Sequence, residues 1–406
     1  NQSFTVTPST GGTDLVPVGT TYTWTVVAPA GITGAVDQAV AQTSISQNLI
    51  NSTEGELDVV YTVTASVGTA PNVCTDTFTI TVKVNPLPQI NNKVATICSE
   101  DTFTITPVTA SPQVVPTGTS YTWTVVAPAG ITGAANETNP QTAISQTLTN
   151  STNAPINVVY NVTASVGTAP NVCTDTFVVT VTVNPNPLIA NKVVTICSQD
   201  TFTVTPTNTL PDVVPVGTTY TWSVVAPAGI AGAANETTPQ TSISQSLTNS
   251  TDASLDVVYT VTASSGTAPD VCTSTFEITV SVNPRPSILD VTDSICSAQS
   301  FSVTPVTGTD IVPTGTTYTW SVVAPAGITG ASNQGTPQTT ISQTLTNSTT
   351  ASINVVYTVT ASAGTAPNAC TSTFTITVSV NPLPIIADKV ATICSDDTFT
   401  VTPSNT

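Results

Sequence analysis

Apolar and polar side chains alternate along short stretches of the chain. Phe78, Ile80, Val82 and Val84 fall on one face while Thr79, Thr81 and Lys83 fall on the other, and Val59, Tyr61, Val63 and Ala65 alternate with Val60, Thr62 and Thr64. Tyr22, Trp24 and Val26 form a third set, and Phe4 with Val6 and Ile45 with Leu49 form weaker ones. A period of two sends every second residue into a core, which is the pattern of a half-buried strand; no apolar pattern of helical period runs to a useful length. Turn punctuation such as Ala28-Pro29-Ala30-Gly31 separates the strands. Six or seven short strands in each hundred or so residues predict a two-sheet antiparallel sandwich with an inward Trp as its largest core residue.

The pattern recurs. Trp24, Trp123, Trp222 and Trp320 stand at intervals of 99, 99 and 98, and so do Cys74, Cys173, Cys272 and Cys370, and the tyrosines Tyr61, Tyr160, Tyr259 and Tyr357. Phe4, Phe103, Phe202, Phe301 and Phe399 mark a fifth register, in which Asn1 aligns with Glu100 and Asp396. Each copy closes on Asn-Pro-x-Pro, at Asn85–Pro88, Asn184–Pro187, Asn283–Pro286 and Asn381–Pro384. Proline cannot donate to a ladder and holds its predecessor extended, so this is a strand end and a short stiff connector. The expected divisions are 1–86 (a copy lacking its first segment), 87–185, 186–284, 285–382 and the start of a fifth copy at 383–406, a window on a longer array.

Composition narrows the function. Five Lys plus Arg against 23 Asp plus Glu give a net charge of −18, which leaves no basic stripe to displace phosphate counterions and excludes nucleic acid. The chain contains no His, which removes Ser-His-Asp and Cys-His catalysis and any His-ligated zinc. Paired carboxylates do not persist between copies: Asp58 is matched by Asn157, Asp256 and Asn354, and Asp76 by Asp175, Ser274 and Ser372, so these read as solvated positions and the chain as no enzyme. Thr, Ser, Gly and Pro interrupt every apolar run, so no membrane insertion is expected of this segment. No cofactor is expected. The one metal candidate is calcium at the joints, where Asn91, Asn92, Asn191, Asp290, Asp293 and Asp388 offer oxygens without an Asp-x-Asp-x-Asp-Gly loop. Lys93, Lys192 and Lys389 precede their Cys by five residues, with Val291 in the remaining place, and read as edge charges against sheet-to-sheet pairing. Asn-x-Ser/Thr triplets at Asn51, Asn136, Asn150, Asn161, Asn235, Asn249 and Asn347 admit glycans.

The entry Val-(Ala/Val)-Thr-Ile-Cys-Ser, the Tyr-Thr-Trp strand, Leu-Thr-Asn-Ser-Thr, Val-Val-Tyr-x-Val-Thr-Ala, a second Cys and the closing Thr-Val-x-Val-Asn-Pro-x-Pro resemble the PKD-like repeats of very large surface proteins from gliding and biofilm-forming bacteria. The resemblance spans essentially the whole chain. It implies immunoglobulin-like sandwiches, export through the type IX pathway, and a stalk or adhesin role at the bacterial cell surface.

Eight Cys in such a chain read as disulfides made in an oxidising compartment. The expected scheme pairs Cys98 with Cys173, Cys197 with Cys272 and Cys296 with Cys370, each inside one copy, and leaves Cys74 and Cys394 to partners outside the window; a rival scheme joins Cys74 to Cys98 across the linker. The leading function is a structural stalk segment of an extracellular adhesin or filament, an extended rod whose copies contact mainly their neighbours. The alternative is a repeated glycan- or protein-binding module, presenting the variable stretches Val36–Ala41, Ala135–Pro140, Ala234–Pro239 and Ser332–Pro337. Lateral or head-to-tail self-association enters as a variant in which residues 383–406 complete the first copy of the next chain, disfavoured because eleven tail residues duplicate the Phe4 strand.

Overall fold

The computed structural model describes residues 2–404 and is built of tandem β-sandwiches, with no helix among those residues. Asn1, Asn405 and Thr406, at the outer ends of the first and fifth expected divisions, lie outside the described residues. The chain forms two compact units: residues 1–187 with 215–217 and 265–272, and residues 188–214 with 218–264 and 273–406.

The second copy shows the plan. Its larger sheet runs Glu137–Gln141, Ser120–Val125, Ile156–Val166, Cys173–Asn184, Lys93–Cys98 in spatial order. Thr102–Ile105 pairs with Ile144–Thr147, and Ile131–Thr132 with Thr149–Asn150, to make the facing layer. The third and fourth copies repeat both arrangements. Within the larger sheet the Trp, Val-Val-Tyr and closing strands are antiparallel, whereas the opening strand Lys93–Cys98 lies parallel to the closing strand, Lys93 opposite Val179 and Cys98 opposite Asn184. The sandwich is therefore mixed at one edge, a departure from the all-antiparallel expectation.

Alternation converts directly into burial. Phe177, Val179, Val181 and Val183 of the closing strand are buried with Val158, Tyr160 and Val162 of its neighbour. Trp123 joins the same cluster, and the four tryptophans are only 5–7% exposed. The Trp and the Val-Val-Tyr tyrosine keep their polar ends satisfied: the Trp123 indole donates to Ala135 O, and the Tyr160 hydroxyl donates to Gln146 Oε1. Such handles let a large apolar body be buried without an orphan donor. They also shut the tryptophan faces away from any sugar.

Burial raises the ionisation of all eight tyrosines above its ordinary value, and Tyr61 and Tyr357 are pushed up to about 12. Between pH 10 and 12 the unfolded chain therefore binds fewer protons than the folded one. The stabilisation is fully present below pH 10 and is lost as the pH climbs through the folded-state value. An alkaline titration should show tyrosinate absorbance rising together with loss of the near-ultraviolet dichroism, not ahead of it.

The four Asn-Ser-Thr asparagines, Asn51, Asn150, Asn249 and Asn347, are 2–6% exposed. Asn249 Nδ2 donates to Ala253 O and Val282 O at 2.7 and 2.8 Å, and its Oδ1 accepts from Thr251 N and Thr251 Oγ1. The amide nitrogen that a glycan would take is already inside the sandwich, so these four triplets are turn-holding devices and not acceptors. Asn249→Ala removes four bonds and strands the Val282 carbonyl, a loss of about 3 kcal/mol that equilibrium urea unfolding would measure.

The first copy differs at one edge. Its larger sheet has four strands, Gln38–Gln42, Thr21–Val27, Leu57–Thr69 and Asn72–Val84, and among the described residues no strand pairs with the outer edge of Asn72–Val84. Phe78, Ile80, Val82 and Val84 are consequently only half-buried, where their counterparts in the second copy are covered.

Candidate functional site: the joints between successive copies

The parallel opening strand decides where sulfur can go. Cys98 ends that strand beside Asn184, whereas Cys173 begins the closing strand eleven residues away. At roughly 3.3 Å per residue the two sit about 36 Å apart, and a disulfide needs its Cα atoms within about 7 Å. The pairings Cys98 with Cys173, Cys197 with Cys272 and Cys296 with Cys370 are therefore corrected, as is the rival Cys74 with Cys98. Cys98 is joined to Cys272 with Cα atoms 5.5 Å apart, and Cys197 to Cys370 at 5.6 Å. Each bridge runs from the opening strand of one copy to the closing strand of the next, and each lies inside one of the two compact units. Cys74, Cys173, Cys296 and Cys394 carry no bridge.

Polar contacts gather around the sulfur. Ser99 N donates to Asn184 O, and Ser99 Oγ donates to Asn150 O, tying the end of the opening strand into its own sandwich. The Ser99 carbonyl accepts from Asn186 Nδ2 at 2.7 Å, and Ser265 Oγ donates to Pro185 O at the same joint. One joint along, Arg285 occupies the place of Asn186. Its Nε donates to Ser198 O, its Nη1 to Thr371 O, and its Nη2 pairs with Asp200 Oδ1 at 2.9 Å. Asn186 and Arg285 are the x of Asn-Pro-x-Pro, a position the sequence reading passed over. The available signal was a long polar side chain held between two residues that cannot donate through their own nitrogen.

Four of the six side chains considered for calcium are engaged otherwise. Asn92 Oδ1 accepts from Val178 N, Asn191 Oδ1 from Glu277 N and Asp290 Oδ1 from Thr375 N, so the same position takes a mid-strand amide of the closing strand in three copies. Asp293 Oδ1 accepts from Ser294 N. Among the described residues no group of three or more His, Cys, Asp or Glu side chains is placed to hold a metal. Lys93 and Lys192 stand on the sheet-edge strand of their copies, as expected, but face inward along it, Lys93 Nζ donating to Gln113 Oε1 at 2.7 Å and Lys192 Nζ to Asp212 Oδ2 at 2.6 Å; Lys389 lies in no strand. Burial pushes the Asp212 carboxyl up, but the Ala190 amide and the Lys192 ammonium outweigh it and hold it below the usual carboxylate range.

Sulfur bridges at successive joints and an immunoglobulin-like fold point to an oxidising, extracellular setting. No helix among the described residues is long and apolar enough to cross a membrane.

A search of curated proteins finds no match to the chain. Among solved structures, a three-domain I-band fragment of titin is similar, at 11% identity and a TM-score of 0.27 over 73% of this chain and 97% of that one. So is a SusE-like, surface-located polysaccharide-binding protein from Bacteroides thetaiotaomicron, at 12% identity and 0.23 over 88% and 55%. The first four immunoglobulin domains of Sidekick-1 match at 9% identity and 0.19 over 93% and 94%. Residues 9–88, 95–187, 194–286 and 293–384 each match the PKD-like domain, and the chain therefore belongs to the PKD-like domain family as four tandem members.

Proposed function

We propose that the chain is a structural shaft segment of an extracellular bacterial surface adhesin or filament, holding a distal module away from the cell. The observation that carries this reading is the placement of both bridges across joints, with Asn186 or Arg285 reinforcing each. A link between copies does little for the packing inside either copy; what it opposes is separation and swivelling of neighbours. Export through the type IX pathway and a part in gliding or biofilm attachment fit the motifs of the repeats. Glycan-array and cell-binding measurements on the 406-residue chain should find no ligand at micromolar affinity or tighter, and such a ligand would defeat the shaft reading.

A second reading has its own support. The variable stretches form the outermost strand of each larger sheet, Gln38–Gln42, Glu137–Gln141, Glu236–Gln240 and Gln334–Gln338, with their middle residues exposed. A repeated glycan- or protein-binding module would use that edge, and the same arrays would reveal it.

A further inference from the structure

The centre of the outward face of each larger sheet carries hydroxyls and almost no charge. In the fourth copy the Trp strand Thr317–Val322, the Val-Val-Tyr strand Ile353–Ala363 and the closing strand Cys370–Asn381 lie side by side. Thr319 stands opposite Thr360, and Thr360 opposite Thr373; two residues along, Ser321 stands opposite Thr358, and Thr358 opposite Thr375. A third row begins at Thr317 and runs through Ser362 to Thr371. The first copy repeats this three-by-three grid around Thr64, and the second repeats it around Thr163. The third copy carries the same residue types on its Trp and Val-Val-Tyr strands, around Thr262. Across the four copies every place in the grid is Thr or Ser except Asn161, Val178 and Glu277.

Regular pitch, stiffness and free hydroxyls make the grid a template. Neighbouring strands lie about 4.8 Å apart, and like-facing residues of one strand about 6.7 Å apart. A β-branched side chain has few rotamers, and each one here stands on a strand whose other face is packed: Tyr318, Trp320, Tyr357, Val359 and Phe374 are buried beneath the fourth grid. Among the described residues, the one hydroxyl of that grid that donates to the protein is Thr317, to Ser362 O. Acids are ordinarily solvent-exposed, and the chain has 23 Asp plus Glu, so their near-absence from this face is a matter of placement.

We propose that these grids bind the surface of ice. The partner of a neutral, rigid, two-dimensional array must itself be neutral, periodic in two dimensions, and supplied with both donors and acceptors. The oxygen atoms on a prism face of hexagonal ice repeat at spacings close to both of the sheet's own. Each Thr presents a hydroxyl to take a place in the lattice and a methyl that sheds its water on contact. Ice excludes ions, which suits a face without charge. A twist of roughly 20° between neighbouring strands spoils such a match across a wide sheet and leaves it to the few central strands, where the grid lies. A crystalline polysaccharide is the other neutral lattice, but flat sugar rings are met by flat aromatic rings, and the tryptophans of all four copies are buried. A shaft and a binding array could both carry the grids, so the inference stands apart from the choice between them.

The test uses the 406-residue chain, with ice itself as the probe. Polycrystalline ice annealed just below its melting point should keep small grains at micromolar chain, and slowly growing ice should take the chain up from solution while albumin stays in the liquid. The fourfold variant Thr62→Lys, Thr176→Lys, Thr260→Lys and Thr358→Lys puts one charge at an exposed place in each grid and should lose both effects at an unchanged urea midpoint. Leu210→Lys, 94% exposed and off the grid, should keep them. Grain growth equal to that in albumin would overturn the proposal, as would retention of both effects by the fourfold variant. Adsorption to powdered cellulose or chitin with no effect on ice would assign the grids to a sugar crystal and overturn it as well.

Discussion

Pulled from its two ends under oxidising conditions, the chain between Cys98 and Cys370 should stretch to about 260 Å and no further, against about 950 Å once the bridges are reduced, at roughly 3.5 Å per extended residue. The difference comes from how the two loops overlap. Cys98 and Cys272 become one node and Cys197 and Cys370 the other, so three stretches of chain run in parallel between the nodes and the shortest, Cys197 to Cys272, sets the limit. The two longer stretches, Cys98 to Cys197 and Cys272 to Cys370, are drawn out with it but stay slack when it is taut. Bridges closed inside single copies would act on each copy separately and would give no overlap. The first copy lies before Cys98 and supplies an internal control, because its unfolding length should be the same in both conditions. Equal stretched lengths before and after reductant would mean that the joints are not bridged, and the shaft reading would lose the observation that carries it.

The cysteine pairing shows where sequence reasoning stops. Strands were legible because alternation is a local property: Phe177 to Val183 and Val158 to Val162 are buried where the period-two pattern puts them. The direction of the opening strand is not local. Lys93–Cys98 reads the same whether it runs with or against Cys173–Asn184, and only the parallel choice sends its cysteine to the far end of the sandwich. The buried asparagines were within reach, since Asn51, Asn150, Asn249 and Asn347 recur in all four copies whereas Asn136, Asn161 and Asn235 do not. A glycan acceptor has no reason to keep such register, and an amide that closes a turn on two carbonyls does. The inward turn of Lys93 and Lys192 could not be read, because Gln113 and Asp212 come from a loop whose course depends on the fold being complete. The fourth copy completes the point: Val291 removes the ammonium, and Asp310 keeps the backbone contact, accepting from Leu289 N as Asp212 does from Ala190 N.

Gly232→Ala should cost the third copy about 4 kcal/mol, while Gly217→Ala should cost about 1 kcal/mol, though both residues are left-handed, at φ +91° and +81°. The shared part is the strain of placing a side chain at positive φ. The rest is space: a Cβ at Gly232 would come within 2.2 Å of Ser246 O, whereas nothing lies within 4 Å of one at Gly217. Ser246 cannot withdraw, because Ile243–Ser246 is held in register against Thr201–Val204. Gly34, Gly133 and Gly330 meet the carbonyls of Asn48, Thr147 and Thr344 in the same way, so one close approach serves four copies. Two residues on, Ala234 N donates to Gln245 Oε1 and Ala234 O accepts from the Trp222 indole, so the glycine sets where the variable stretch leaves the core. Urea unfolding of the two variants would measure the gap, and limited proteolysis followed by reduction would locate the nicks in the third copy. Equal losses at the two positions would show that strand spacing around the glycine is soft, and the outermost strand that follows would then be set by its own sequence and not by the sandwich beneath it.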